Sequence, residues 1–234
     1  MYFQRVTPCV AMAGLLACAA LGCASAGIQT SKLYVPEDEV MKPSVVLVYD
    51  FRFSAADVSI DDRVFGGKKP TQAEKDRLGR EVSAGFAKAL VEKLGEAGIE
   101  AQRADSRTST PLHAWLVKGR FLSVDEGSRA KRVALGFGAG ATELEVKVEV
   151  FQVTESGQRK LSEGEAKASG SKMPGMAVPV AGGAAMGTAL TSAAISGTLA
   201  VTREVRGSLG ADANRLAEAL AERAKAFYQR RGWL

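Results

Sequence analysis

No cysteine follows residue 23: Cys9, Cys18 and Cys23 are the only three, and all precede the bulk of the chain. That excludes a disulfide-stapled scaffold and any thiolate site in the body of the protein. Histidine is nearly absent as well. The single one, His113, has no histidine or thiol companion with which to hold zinc, and beside Trp115 at a strand start it reads as a packed or surface residue. Blocks of like charge are missing too. The 31 Lys and Arg are interspersed with 26 Asp and Glu, so a net charge of +5 is spread thinly and argues against a nucleic-acid partner. Residues 173–202 carry no charge of either sign.

What is present begins with an export signal. Residues 1–22 hold one positive charge, Arg5, and then the apolar run Val10 to Leu21, which is too short to span a bilayer and ends in small residues. Two cysteines compete as a lipidation point. Cys18 follows Leu15-Leu16-Ala17, with Leu three places back; Cys23 follows Ala20-Leu21-Gly22 at the end of the apolar run and leads into a polar linker. Cys23 is favoured, because cutting before Cys18 would strand apolar residues on the mature terminus. The competing reading is ordinary signal cleavage and plain secretion. Several acyl chains, at roughly 0.8 kcal/mol per buried methylene, would make a stable anchor. Residue 24 is Ala and not Asp, which by analogy with bacterial lipoprotein sorting points to the outer membrane. Residues 23–43, with acidic Glu37-Asp38-Glu39 and two prolines, read as the lipidated cysteine and a flexible tether of about twenty residues.

The remainder, 44–234, has the length of one domain. Its clearest element starts at Thr142, where Leu144, Val146, Val148 and Val150 alternate with Glu143, Glu145, Lys147 and Glu149. That period belongs to a half-buried antiparallel strand, whose apolar face other elements must cover. Ser44 to Phe53 is a near-continuous apolar run, as expected of a strand covered on both faces. Thr71 and Glu74 have capping-box spacing and open a helix whose Leu78, Val82, Phe86, Leu90 and Leu94 form one stripe, with Gly95 or Gly98 closing it. A short strand is expected over 99–103, a longer one over 112–124 and a more polar one over 160–169, the last after the turn residues Glu155 to Gln158. Asp212 is placed to cap a last helix running to Arg231, with Leu216, Leu220 and Phe227 inward and Trp233 folded back on the sheet. The expected order is β-α-β-β-β-β-α, an α+β fold with a mainly antiparallel sheet, two packed helices and a Gly/Ala-rich insertion before the last helix.

The run Asp125-Glu126-Gly127, Arg129-Ala130-Lys131-Arg132 and Gly136-Phe137-Gly138-Ala139-Gly140, followed by the alternating strand, resembles an uncharacterised bacterial lipoprotein family, domain of unknown function 4410. The resemblance extends less specifically from near Val45 to Gly232-Trp233. It implies a fold and an envelope location, and no catalytic residue, because the family has no assigned activity. The element order is also similar to small envelope domains related to the amino-terminal part of TolB.

Catalytic motifs dissolve on inspection. Gly136, Gly138 and Gly140 lack the third spacing of a dinucleotide fingerprint and precede a strand, so they serve a turn or bulge. Ser128 and Lys131 have the spacing of a penicillin-binding nucleophile pair but lack its companion motifs. Asp50, Asp61, Asp62 and Asp125 have no spacing that requires them to meet. Neither cofactor nor metal is implied. The expectation is a non-enzymatic outer-membrane lipoprotein facing the periplasm, binding an envelope protein or anionic envelope component through Arg129, Lys131 and Arg132. The alternative uses residues 173–202, where Gly183 and Gly187 have the spacing that lets helices approach closely, to enter a membrane or to self-associate.

Overall fold

A computed structural model describes residues 25–60, 69–127, 141–170 and 197–234, with side chains of the last range from residue 208. Among the described residues seven strands form one mixed sheet and two α-helices cover one of its faces. The strands are β1 (Ser25–Leu33), β2 (Val46–Tyr49), β3 (Val58–Ser59), β4 (Ala101–Ala104), β5 (Trp115–Asp125), β6 (Thr142–Thr154) and β7 (Gly157–Gly170). The helices are α1 (Gln72–Glu96) and α2 (Gly197–Arg230). The sheet order is β1-β7-β6-β5-β2-β4, with β3 also on β5.

The alternating strand is β6, at the centre of the antiparallel part between β5 and β7. Leu144 and Val146 are fully buried and Val148 nearly so, while the charged residues between them lie half-buried on the opposite face. β2 carries no polar alternation because both its faces are covered. Val46 and Val48 join the main core under the helices, and Leu47 joins a smaller cluster with Leu116 on the far face. Parallel neighbours, β4 and β5, flank it.

α1 starts as its sequence requires. The Thr71 hydroxyl accepts from the Glu74 amide at 3.3 Å, and the Glu74 carboxylate accepts from the Thr71 amide at 2.7 Å. Gly98, at φ +80°, ends it in a conformation that a side chain resists, and the Ile99 amide donates back to the Leu94 carbonyl. The predicted stripe is the buried one, and Phe86 sits edge-on to Phe51 at 4.9 Å. Each fully buried side chain of this kind contributes about 1.5–3 kcal/mol.

Two expectations need correction. Residues 25–43 are not a free tether. β1 pairs antiparallel with β7 from Ser25↔Ser169 to Leu33↔Ser162, and Val35 and Val40 enter the core. The weakly apolar β1 is a strand because β7 offers it an open edge. Asp212 does not cap α2, which begins at Gly197. Asp212 lies inside the helix, fully buried, where its carboxylate accepts from Arg215 one turn on. The α+β fold and the mainly antiparallel sheet are as expected: β1, β7, β6 and β5 pair antiparallel, while the short β2, β3 and β4 run parallel to their neighbours.

Candidate functional site

The feature best suited to holding a ligand is an apolar cleft between β1 and the C-terminal half of α2. It encloses about 210 Å³. Its floor is sheet: Val117 of β5, Val148 and Val150 of β6, and Leu161 of β7, inward because of their strand alternation and a bulge near Val150. Leu220, Ala224 and Phe227, spaced at three and four residues along α2, make the roof. At the inner end Trp115 packs edge-on to Tyr228 at 5.7 Å and to Trp233 at 6.0 Å, so the terminal tryptophan does fold back as expected. Burial pushes the Tyr228 hydroxyl well above its ordinary pKa.

The mouth is polar on one side and apolar on the other. Arg223 donates to the Ser31 hydroxyl at 3.0 Å, and Arg230 pairs with Glu37 at 3.1 Å. Both contacts are solvent-exposed, the class worth about 0–1 kcal/mol, so they strap the mouth weakly. Leu33, more than half exposed, forms the apolar lip. A second hollow, between α1 and α2, is larger at about 460 Å³, but Glu81, Lys88 and Glu92 line it beside Gly85 and Gly210. The cleft's apolar lining makes it the better candidate.

The outer face of the sheet carries a charge ladder. Lys160 donates to Glu149 at 2.6 Å and to Glu163 at 2.5 Å, and Lys167 pairs with Glu143 at 2.8 Å. The Lys160 ammonium, then the Tyr34 hydroxyl, pull the Glu163 carboxyl down to about 2, and the two carboxylates hold Lys160 protonated far above its ordinary range. The charges that alternate along β6 are thus largely paired with their neighbours on β7.

Cys18, Cys23, Arg129, Lys131, Arg132, Gly183 and Gly187 all lie outside the described residues, as do Asp61 and Asp62. Of the side chains weighed for chemistry that are described, Asp50, His113 and Asp125, none lines the cleft. Asp50 is paired with Arg103, Asp125 accepts from the Gly127 amide, and His113 occupies a left-handed turn at φ +66° before β5. Sequence reasoning missed Ser31, Leu33 and Glu37, which fall in the supposed tether, and Arg223. The one available signal was the four-residue return of Leu216, Leu220, Ala224 and Tyr228 on one stripe.

The family model described as "Domain of unknown function (DUF4410)" matches residues 46–187, well over half of the chain. The chain belongs to the DUF4410 family. No curated protein matches it. Among solved structures it is similar to the PelC dodecamer from Paraburkholderia phytofirmans, at 8% identity and TM-score 0.41, over 85% of this chain and 98% of that one. A leucine-to-methionine variant of the same dodecamer aligns over the same shares at 8% identity and TM-score 0.39. Protein XCC0632 from Xanthomonas campestris aligns at 11% identity and TM-score 0.37, over 81% of this DUF4410 chain and 88% of its own.

Proposed function

We propose that this DUF4410 protein is a non-enzymatic, lipid-anchored outer-membrane protein whose periplasmic domain binds another envelope component. One observation carries the reading. Strand register sets Ser25, Ser169, Glu143 and Asp125 in one row across β1, β7, β6 and β5, with Ser59 of β3 beside Asp125. From this end of the sheet the chain leads to Cys23, two residues before β1, and to Arg129, Lys131 and Arg132, a few residues after β5. An acyl anchor on Cys23 would bring that end against the bilayer, where each cation near an anionic surface is worth about 1 kcal/mol. The ordering of β1 supports this, since it leaves almost no slack between anchor and domain.

The test has two arms. Cys23→Ser should release the protein from the membrane fraction or leave it uncleaved, while Cys18→Ser changes little; full retention of the Cys23 variant would sink the anchor. Replacing Arg129, Lys131 and Arg132 together with Gln, with circular dichroism unchanged, should deplete the proteins or lipids co-isolated at low salt more than at moderate salt. An identical retained set would remove the loop from the reading.

The second reading is insertion or self-association through Gly183 and Gly187. It is favoured by the start of α2 at Gly197, inside the uncharged stretch. Among the described residues no helix is long and apolar enough to cross a membrane. Protection of this stretch from protease only in the presence of membrane would support insertion.

A further inference from the structure

The geometry points to the cleft between β1 and α2 as a site for a single-chain anionic amphiphile, an alkyl chain held under α2 with a carboxylate or phosphate head at Arg223. Size comes first. A cavity of about 150 Å³ accommodates benzene, so about 210 Å³ takes roughly eight carbons of a chain. The lining suits a chain, because floor and roof are both apolar, one made by the sheet and the other by α2.

Charge at the mouth sets the head group. Arg230 already has Glu37, but among the described residues Arg223 has the neutral Ser31 hydroxyl as its side-chain partner and no carboxylate at ion-pair distance. Glu163, whose chain segment also borders the cleft, is engaged with Lys160 and Lys147. An incoming anion can therefore take the Arg223 guanidinium by displacing one exposed hydroxyl. The chain end needs no polar partner inside, where Val117, Val148, Val150 and Leu161 present only carbon. Leu33 supplies the apolar lip over which such a chain would enter, and at 56% exposure it is the most exposed large hydrophobic residue described.

The site lies toward the opposite ends of these strands from the row that holds Ser25, Ser169, Glu143 and Asp125, and it uses none of the residues of the anchoring proposal. It stands whether or not Cys23 is acylated.

The protein's own tryptophans report on it. Trp115 lines the cleft, and Trp233 is the only other one. In the full chain carrying Trp233→Phe, held in neutral-lipid nanodiscs if it purifies with membrane and in buffer if it does not, an omega-brominated decanoate should quench Trp115 saturably. Ala224→Phe, which fills the roof, should abolish quenching by both the brominated decanoate and the matching brominated decanol. Arg223→Gln should weaken the decanoate roughly tenfold, the scale of one charge-assisted hydrogen bond, and leave the decanol unchanged. Leu33→Glu, exposed and so harmless to folding, should weaken the decanoate more than the decanol, because both probes lose the apolar lip and only the anion meets the new charge, and it keeps the test open if Ala224→Phe does not fold. Non-saturable quenching, or equal effects of Arg223→Gln and Leu33→Glu on the two probes, would overturn the proposal. A brominated decyl phosphate binding more tightly than the decanoate would assign the head to a phospholipid source, and the reverse to a free fatty acid.

Discussion

One methyl group at Gly164 would test whether β1 belongs to the domain. A Cβ built at Gly164 lies 2.6 Å from the Thr30 carbonyl oxygen and 3.6 Å from the Ser31 Cα, where β1 bulges between Ile28 and Thr30. Both are backbone atoms, so no side chain can swing aside. Overpacking of this kind costs about 1–3 kcal/mol. β7 is held by thirteen register pairs to β6 on one side and by eight to β1 on the other, so the edge strand is what gives way. Shifting the opening equilibrium of β1 by that amount raises the open fraction about five- to 150-fold. Amide exchange in β1, and tryptic cleavage after Lys32, should rise by that factor in Gly164→Ala, because both follow the open population when reclosing is fast. Exchange in β6 should not change. Gly27→Ala is the control, because nothing lies within 4 Å of a Cβ there, and β1 should stay closed. The reasoning fails if Lys32 of the parent protein is already cut at the rate of unstructured chain, or if Gly164→Ala loosens β6 as much as β1. The detached strand would also take Ser31 and Leu33 from the cleft, so decanoate quenching of Trp115 should fall with it.

Two further perturbations bear on the two faces of β6 and its partner strand. Val148→Asp puts a charge into the apolar cleft floor and should lower stability by about 3–5 kcal/mol in urea titration, the scale of an uncompensated charge in a core; Glu149→Lys, which trades the Lys160 pair for a repulsion at a half-buried site, should cost nearer 1 kcal/mol. Equal midpoints would mean the facing is wrong. The depressed Glu163 carboxyl predicts an acid dependence with a definite sign. A group held to about 2 when folded stabilises the fold above its ordinary pKa of 4.5, and that contribution is lost as pH falls from about 4.5 through about 2. Glu163→Gln should therefore be less stable than the parent near pH 6 and should converge with it near pH 2; a constant gap across that range would remove the ion pair as the cause.

Local rules were enough for the elements whose neighbours in sequence decide them. The capping box at Thr71 and Glu74 starts α1 because both partners lie within one turn, and Gly98 stops it through its own backbone freedom. The alternation of β6 fixed which of its residues are inside, and the unbroken apolar run at β2 meant cover on both faces, which the helices provide on one side and the cluster of Leu47, Leu116, Tyr49 and Phe151 on the other. The run from Asp125 through Gly140 and the strand after it carried the family. What the residues could not announce depended on partners far along the chain. β1 has few apolar residues, and it is a strand because the edge of β7, well over a hundred residues later, accepts its backbone groups. Asp212 looks like a cap, because a cap and a buried partner of Arg215 are the same local pattern; the helix that continues past it to Gly197 decides between them. The cleft is the extreme case. Its wall, floor, roof and mouth come from β1, the segment that follows β1, four other strands and both helices, so its residues are scattered along the chain. Apolar periodicity says that a face is buried, and only the packing of α2 against the sheet decides that part of that face remains unfilled.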